Sequence, residues 1–231
     1  MGRIRRSRMG FGVYHVLNRG INRSWILSTE EEKDAFLTIV VDQSAMCDLN
    51  IYHWVLMSNH FHLVVEALSS RGLSAFLGKV CSLYSRWHHS GKGGSGTLWQ
   101  GRFRSVAVEK EDYLFRLGRY VERNPLRAQL DDITVPWGYK WSSCRAYVET
   151  GSDALVRAAA HPYWRTLGDD DQARRDSYKQ YVEADDESDR KLFRSAAAAV
   201  GSDNFITNLR LIDGRMATRK VGRPKKRNGI I

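Results

Sequence analysis

The sequence predicts an α+β fold in which an antiparallel four-stranded sheet carries helices on one face. Of its 231 residues, 42% are hydrophobic and 11% are aromatic, which supplies enough apolar surface for a packed core and excludes wholesale disorder. Short runs of β-branched and aromatic residues alternate with longer stretches of helical spacing, in the order β-α-β-β-α-β-α. This order is the split βαβ arrangement of ferredoxin-like folds, followed by one extra helix.

The first strand and the first helix each carry a local signal. Residues 12–18 are rich in β-branched and aromatic side chains, which predicts a strand. Thr29 and Glu32 have the spacing of a capping box, so a helix is expected to begin after Thr29 and to continue to about Met46.

The remaining elements follow from a hairpin and two amphipathic stretches. Apolar runs over residues 51–57 and 60–67 flank Ser58-Asn59, which is typical of two strands joined by a tight turn. Apolar residues recur with helical spacing farther along the chain, and a short run between two such stretches predicts a fourth strand. These patterns place a helix over residues 73–88, a strand over 102–108 and a helix over 110–123.

The chain carries an excess of positive charge. Its 36 Lys and Arg residues against 26 Asp and Glu residues give a formal net charge of +10. Such an excess indicates a polyanionic partner, either a nucleic acid or an anionic membrane surface. No apolar run approaches the roughly 18 residues that a membrane-spanning helix requires, so no membrane partner is expected. A nucleic acid is therefore the expected partner.

Uneven charge and composition divide the chain into four predicted segments. Residues 169–190 hold nine acidic against four basic side chains, whereas residues 215–227 hold seven basic side chains and no acidic one. The acidic stretch is unsuited to phosphate, so we expect it to contact the basic body of the protein. The predicted segments are a basic arm (1–10), a catalytic-type domain (11–150), a helical appendage (151–212) and a basic tail (213–231).

Cysteine use and the first residues of the sequence favour the cytoplasm. The three cysteines, Cys47, Cys81 and Cys144, are far apart and outside CxxC spacing, which is typical of buried thiols in a reducing compartment. The first residues are basic, but the apolar core of an export signal does not follow them. A cytoplasmic location is the expectation.

Two histidines in the predicted third strand form a candidate metal-binding pair. His60 and His62 are separated by Phe61, and alternate residues of a strand leave the same face of a sheet. Two neutral imidazoles on one face suit a divalent metal ion, with a third ligand supplied from elsewhere. On this motif alone, the alternative that both are half-exposed polar residues near a turn stays open.

The last helix of the predicted core presents a second candidate pair. Tyr120 and Asn124 are four residues apart, so they lie on one face about one turn from each other. Pro125 predicts that the helix ends or bends near Asn124. A carboxamide oxygen there suits a metal already bound to two histidines, and a phenol one turn away faces the same side. Tyr120 also fits an apolar stripe and Asn124 a helix C-cap, so both structural roles stay open.

Several segments of the sequence occur in the order and with the spacing that are typical of a known family. They are YHVLNRG at 14–20, MSNHFHLVV at 57–65, LWQGRF at 98–103, YVERNPLRA at 120–128, WSSCRAY at 141–147 and GRPKK at 222–226. Over nearly its whole length the chain thereby resembles the REP-associated tyrosine transposases, which are IS200-like and form part of the single-tyrosine branch of the HUH (His-hydrophobe-His) DNA nucleases. One feature differs, because Gly101-Arg102 stands where a pair of basic residues is more usual.

The resemblance implies a strand-breaking and rejoining reaction on single-stranded DNA. By similarity, His60, His62 and Asn124 bind Mg²⁺ or Mn²⁺, and the metal polarises the scissile phosphate. Tyr120 attacks the phosphorus and forms a 5′-phosphotyrosine with release of a 3′-hydroxyl, and a later strand reseals the ester without ATP. The implied substrate is single-stranded DNA that carries a REP-type hairpin, and the implied setting is the nucleoid in the bacterial cytoplasm.

Basic and aromatic residues outside this set are candidate DNA contacts. Arg102 and Arg104 alternate around Phe103, which predicts two guanidinium groups on one face of the fourth strand. Trp99 is a candidate for stacking on an unpaired base. The basic arm and the basic tail suit contact with phosphates. In the tail, Gly222-Arg223-Pro224 resembles the core of an AT-hook. The predicted DNA-binding residues are Arg3, Arg5, Arg6, Arg19, Trp99, Arg102, Arg104, Arg223, Lys225 and Lys226.

Two other classes of protein stay open on the sequence. A ferredoxin-like nucleic-acid-binding module without catalysis would carry stacking aromatics on its two middle strands, where this chain has His60 and His62. A plasmid relaxase or replication initiator of the HUH class would commonly carry a third histidine or paired tyrosines. The sequence also leaves both a monomer and a dimer open.

Overall fold

The structure of the protein is a computed structural model that describes residues 11–69, 72–130, 132–150, 153, 155–156, 158–194 and 199–213. Within these ranges the chain forms five strands and eight α-helices. The strands are β1 (Gly12–Arg19), β2 (Leu49–Met57), β3 (His60–Ala67), β4 (Arg104–Val108) and β5 (Ala199–Val200). The helices are α1 (Glu30–Ala45), α2 (Gly72–Lys92), α3 (Lys110–Glu122), α4 (Asn124–Arg127), α5 (Cys144–Val148), α6 (Asp171–Glu183), α7 (Glu187–Arg194) and α8 (Asp203–Asp213).

The predicted order of elements is confirmed, and most boundaries lie within a few residues of the expected ones. Helix α1 begins at the predicted capping box, in which the Thr29 hydroxyl accepts a hydrogen bond from the Glu32 backbone N–H at 3.1 Å. The Glu32 carboxylate in turn accepts a hydrogen bond from the Thr29 backbone N–H at 2.8 Å. The fourth strand begins later than predicted, at Arg104, so Arg102 lies outside it.

The α+β class is confirmed, and the sheet is larger than predicted. The strands lie in the order β2-β3-β1-β4-β5, so the first four follow the split βαβ arrangement with β1 and β3 in the middle. Those four are antiparallel, whereas β5 pairs with β4 in parallel through Ala199 and Val200. A two-residue strand has no periodicity of its own, which is why the sequence pattern gave no sign of it.

Helices cover both faces of the sheet, which corrects the expectation of helices on one face. Helices α1 and α2 pack on the first face, where Phe36 and Leu77 contact strand residues such as Phe61. Helix α3 packs on the second face, where Leu117 joins a cluster with Val64. Residues 61–65 of β3 are all buried, as a strand covered on both sides requires.

The C-terminal part of the chain shares the core of the sheet. Trp164, Tyr178 and Val182 lie in the same buried cluster as Phe36 of α1. Residues after 150 therefore contribute directly to the packing around the sheet. None of the helices in the described ranges is both long enough and apolar enough to cross a bilayer.

A fully buried carboxylate connects α3 to three other parts of the fold. Glu122 accepts hydrogen bonds from His53 Nδ1 at 2.9 Å and from Ser143 Oγ at 2.7 Å, both at Oε1. The Tyr178 hydroxyl donates to its Oε2 at 2.8 Å. The His53 ring also lies directly against Gly118 of α3, where any Cβ atom would overlap it, so this close approach requires glycine. These contacts fix α3 against β2 and α6.

We expect Tyr178→Phe to lower the free energy of unfolding by about 1–3 kcal/mol, because Glu122 Oε2 would lose its donor while it stays buried. Urea unfolding measures the effect. Tyr181→Phe, which removes a hydroxyl from a half-buried tyrosine on the same helix, is the control and should cost less. Equal losses in the two variants would show that the contact with Glu122 carries no special stability.

Candidate active site

The structure brings the two histidines of the HxH motif together on the second face of the sheet. His60 lies at the start of β3 opposite Arg19, and His62 lies opposite Leu17. Their ring centroids are 5.0 Å apart and the rings are nearly perpendicular. His62 is buried and His60 is half-buried. The predicted placement of both side chains on one face is therefore observed.

A third histidine, which the sequence analysis missed, completes the group. His15 on β1 is buried, and its Nε2 lies 2.8 Å from His62 Nδ1. The two rings are stacked with centroids 5.0 Å apart. A histidine within an otherwise apolar strand was the available signal. Its significance depends on the pairing of β1 with β3, which the sequence does not state.

Hydrogen bonds at Nδ1 leave Nε2 of both motif histidines available as a ligand. Asn59 Oδ1 lies 2.6 Å from His60 Nδ1, and Asn59 Nδ2 donates to the Arg23 carbonyl at 3.4 Å. Because an amide oxygen only accepts, His60 carries its proton on Nδ1 and a lone pair on Nε2. His62 acquires the same tautomer when its Nδ1 donates to His15. Partners of this kind orient histidines that bind metals.

All three imidazoles are held in the neutral form. Burial lowers the pKa of His15 to about 3, with a smaller contribution from the charge of Arg104. Burial lowers the pKa of His60 to about 4, and Arg19 adds to the effect. The pKa of His62 lies well below its usual value, mainly through burial and then through the neighbouring histidines. A neutral imidazole is the form that binds a metal ion.

Tyr120 reaches this group from α3. Its ring is edge-on to His15 at 5.8 Å and to His62 at 6.3 Å between centroids. The side chain is only 7% exposed, and burial raises the pKa of its phenol. Four positive charges oppose that rise; they belong to Arg127, Arg194, Arg104 and Arg190. Tyr120 is thus both part of a buried cluster and in direct contact with the histidines.

Asn124 stands one turn beyond Tyr120, where the helix breaks as Pro125 predicts. It is the first residue of α4, and its Nδ2 donates to the carbonyls of Tyr120 and Val121, each at 3.0 Å. Its amide oxygen is therefore the atom that remains for a ligand. Among the described residues, no three His, Cys, Asp or Glu side chains converge as a metal site. A protein ligand that completes the histidine pair would have to be of another type, such as a carboxamide.

Arg127 is a second residue that the sequence analysis did not single out. Its guanidinium lies over the Tyr120 ring at 4.8 Å from the centroid, and its NH1 donates to the Tyr120 carbonyl at 2.7 Å. Its Nε is buried and has no hydrogen-bond partner among the described residues. A buried donor without a partner, directly beside the phenol, suits an anionic ligand.

Helix α7 from the C-terminal part of the chain covers the tyrosine. The Phe193 ring packs against Tyr120 with centroids 5.4 Å apart. Arg190 and Arg194 are exposed on the same short helix, one turn apart. Their charges act on the phenol, as described above. Nothing in the local sequence predicted this contact, because the two segments are separated by some seventy residues.

Ion pairs dock α7 and the residues before it on α3. Asp189 is buried and pairs with Arg116 Nε and Arg119 Nη2, each at 2.7 Å. Asp186 and Asp185 extend the contact to Arg119 and Arg123, at 2.9 Å and 3.2 Å. The acidic stretch thus contacts the basic body of the protein, as its charge predicts. A buried pair of this kind is sensitive to the loss of either partner.

The structure separates the predicted DNA-binding residues other than Trp99 into three groups. Arg19 is exposed beside His60, and Arg104 lies on the site's face, close enough for its charge to act on His15. Arg102 is exposed in the bend before β4, so the predicted alternation with Arg104 along a strand is wrong. The residues outside the described ranges are Arg3, Arg5, Arg6, Arg223, Lys225 and Lys226.

Trp99 belongs to the core and not to an exposed stacking surface. It is 7% exposed, its indole N–H donates to the Cys81 carbonyl at 2.9 Å, and it packs against Phe36 and Phe61. The segment before β4 folds over α2, so the indole is covered by helix and sheet. The expectation that Trp99 stacks on a base is therefore wrong.

The part of the chain that contains the histidines, Tyr120 and Asn124 matches a known family. Residues 12–124 match the family model described as transposase IS200 like. Over these residues, just under half of its length, the chain is similar to IS200-like transposases. Arg127 and helix α7 lie beyond the matched residues.

Two solved structures are similar to this chain at low sequence identity, and the one with a TM-score above 0.5 has the same fold. One is a REP-associated tyrosine transposase bound to a REP hairpin, with 16% identity, a TM-score of 0.53, and coverage of 67% of this chain and 93% of that chain. Another is a Deinococcus radiodurans R1 protein described as a candidate transposase, with 20% identity, a TM-score of 0.37, and coverage of 48% and 88%. A search of the curated proteins finds no match.

We expect the stability of the protein to fall with acidification. The pKa of His15 is about 3 and that of His60 about 4 in the folded state, against 6.5 for a free histidine. The unfolded chain therefore binds more protons between these pKa values. The contribution of the neutral histidines to the free energy of unfolding is fully present above about pH 6.5 and decreases as the pH falls toward the folded pKa values.

Urea unfolding between pH 7 and pH 4 tests this expectation. His15→Asn should reduce the slope of the free energy of unfolding against pH by the equivalent of up to about one bound proton, whatever its effect on stability at pH 7. Phe11→Asn, which replaces an exposed side chain that cannot titrate, is the control and should leave the slope unchanged. An unchanged slope in the His15 variant would contradict a buried neutral imidazole.

Proposed function

We propose that the protein cuts and rejoins single-stranded DNA through a covalent bond between Tyr120 and a 5′-phosphate. The observation that carries this proposal is the edge-on approach of the Tyr120 ring to His15 and His62, on the face from which His60 also projects. A potential nucleophile and a pair of neutral imidazoles are thus adjacent. The similarity of residues 12–124 to IS200-like transposases supports the same chemistry.

His60, His62 and Asn124 are the residues that would hold a divalent metal ion, Mg²⁺ or Mn²⁺. Both imidazoles are neutral with Nδ1 engaged, and the amide nitrogen of Asn124 is held by backbone carbonyls, so two Nε2 atoms and one oxygen remain as donors. The amide oxygen suits either ion, and the two imidazole nitrogens favour Mn²⁺ over the harder Mg²⁺. When bound, the metal would polarise the scissile phosphate and offset the charge that develops on it.

Tyr120 would act as the nucleophile. Its phenolic oxygen forms a bond to phosphorus while the bond between phosphorus and the 3′-oxygen breaks, and the leaving 3′-oxygen takes up a proton. The 5′-phosphotyrosine retains the ester bond, so attack by another 3′-hydroxyl restores the DNA and the free phenol. Burial raises the pKa of Tyr120, whereas Arg127 and the three other arginines favour its phenolate. These arginines are therefore the groups of this chain that assist deprotonation.

The same arginines would bind the phosphates of the substrate. Arg127 presents a buried N–H without a partner among the described residues, and Arg190 and Arg194 of α7 lie close enough for their charges to act on the phenol. Helix α7 thereby contributes to phosphate binding, although the acidic residues at its start dock it on α3. Arg19 adds an exposed charge beside His60.

The proposed substrate is a single strand that carries a hairpin. The structurally similar REP-associated transposase is bound to a REP hairpin, and the formal charge of +10 suits a polyanionic ligand. A DNA substrate implies action at the bacterial nucleoid. Binding without catalysis, the second class that the sequence left open, gives no role to three neutral imidazoles around a buried phenol.

Tyr120→Phe should abolish the covalent adduct and leave DNA affinity nearly unchanged, because it removes the attacking oxygen with almost no change in volume. A hairpin-bearing oligonucleotide with Mn²⁺ or Mg²⁺, analysed on a denaturing gel, detects the adduct, and fluorescence anisotropy measures affinity. Tyr113→Phe, two turns earlier on α3, is the matched control. An adduct that persists in the Tyr120 variant would reject this assignment and direct attention to Tyr113.

His60→Ala and His62→Ala should also abolish adduct formation while DNA binding is retained, because the metal acts on the reacting phosphate. Asn124→Ala should be milder, since water replaces a neutral ligand readily. His89→Ala removes a histidine from α2 and should change neither property. A parallel loss of DNA affinity in the His60 and His62 variants would favour a structural role for the pair.

A further inference from the structure

The segment between β1 and α1 is held directly against the turn that carries His60. The Gly20 N–H donates to the Asn59 carbonyl at 2.8 Å, and the Leu27 N–H donates to the Ser58 carbonyl at 2.9 Å. The Asn59 side chain bonds both the Arg23 carbonyl and His60 Nδ1. One amide group therefore links residues 20–27 to the candidate ligand His60.

This segment exposes a large aromatic side chain. Trp25 is 73% exposed, although the next two residues, Ile26 and Leu27, are 2% and 0% exposed. The buried neighbours anchor the backbone, so the exposed indole is attached to a well-packed part of the chain. Exposure of so much apolar surface is unfavourable and is typical of a surface that binds a partner.

The backbone before Trp25 adopts a conformation that L-residues rarely take. Asn22 has φ 51° and Arg23 has φ 61°, both in the left-handed region. Gly20 is also required, because a Cβ atom there would overlap the Ser24 carbonyl oxygen. Such strain persists only where the surrounding contacts impose it, and it is often found at functional sites. Here the strained turn leads into the residues that present Trp25.

Positive charge accompanies the indole. Arg19 at the end of β1 and Arg23 in the strained turn are both exposed, and Arg19 lies opposite His60 in the sheet. A single strand of nucleic acid is bound by aromatic side chains that stack on bases and by basic side chains that contact phosphates. Residues 19–25 provide both, next to the histidines.

We propose that Trp25 stacks on an unpaired base of the strand that enters the His60–Tyr120 site, with Arg19 and Arg23 at the adjacent phosphates. This inference rests on the proposed function for its substrate and adds a site that fixes the register of the strand. It assigns to Trp25 the role for which Trp99 is too deeply buried.

The first test measures the affinity of metal-free protein for a fluorescent DNA hairpin with an unpaired flank. Trp25→Ala should weaken binding about 5- to 150-fold, the range expected for the loss of one stacked base, and Trp25→Phe should retain most of the affinity. Phe11→Ala is the matched control, because Phe11 is 76% exposed and directly precedes β1. It lies about 26 Å by strand rise from Arg19 at the other end of that strand. The Phe11→Ala protein should bind as the unsubstituted protein does.

The second test identifies the stacked base. Oligonucleotides with one abasic position each should show a loss of affinity at one or two flank positions with the unsubstituted protein. Trp25→Ala should lose that sensitivity at the same positions, because the partner ring is already gone. Unchanged affinity of the Trp25→Ala protein, or equal abasic penalties in both proteins, would overturn the inference.

Adduct formation by the unsubstituted protein separates this inference from the proposed function. If no adduct forms but Trp25→Ala still weakens binding at a defined base, the proposed chemistry fails and the stacking site stands. If the adduct forms and Trp25→Ala binds normally, the chemistry stands and the stacking site fails.

Discussion

The buried carboxylate of Glu122 is the interaction on which the arrangement of the site depends. It accepts hydrogen bonds from His53 on β2, from Ser143 before α5 and from Tyr178 on α6, so one charged group connects four parts of the chain. A carboxylate away from water is stable only while such donors are present, which makes the positions of these elements mutually dependent. Tyr120 lies two residues earlier on α3, and its ring therefore approaches the histidines from a fixed helix.

The two faces of the sheet have different roles. On the face of α1 and α2, aromatic residues such as Phe61 and Trp99 pack against one another in the core. On the face of α3, the same strands present His15 and His62, whose burial keeps them neutral. Alternation along a strand allows a single run of residues to serve both the core and the site.

Helix α7 combines two opposite electrostatic roles within two turns. Its acidic start is neutralised by the arginines of α3, with Asp189 buried between Arg116 and Arg119. Its basic end remains beside the phenol, where Arg190 and Arg194 add to the positive charge around Tyr120. In the acidic stretch, Asp186 and Asp189 pair with Arg119 of α3, and Asp185 pairs with Arg123 directly after it.

The sequence by itself determined the features that depend on local spacing. His60 and His62 share a face because alternate strand residues always do, and the helix that carries Tyr120 ends just before Asn124 because Pro125 disfavours a helical residue before it. Only the tertiary structure decided which segments meet: α3 packs on the second face of the sheet, His15 lies beside His62, and Phe193 covers Tyr120. It also decided which tryptophan is buried, Trp99, and which is exposed, Trp25. Periodicity carries no information on these points, because each depends on contacts between residues that are distant in the chain.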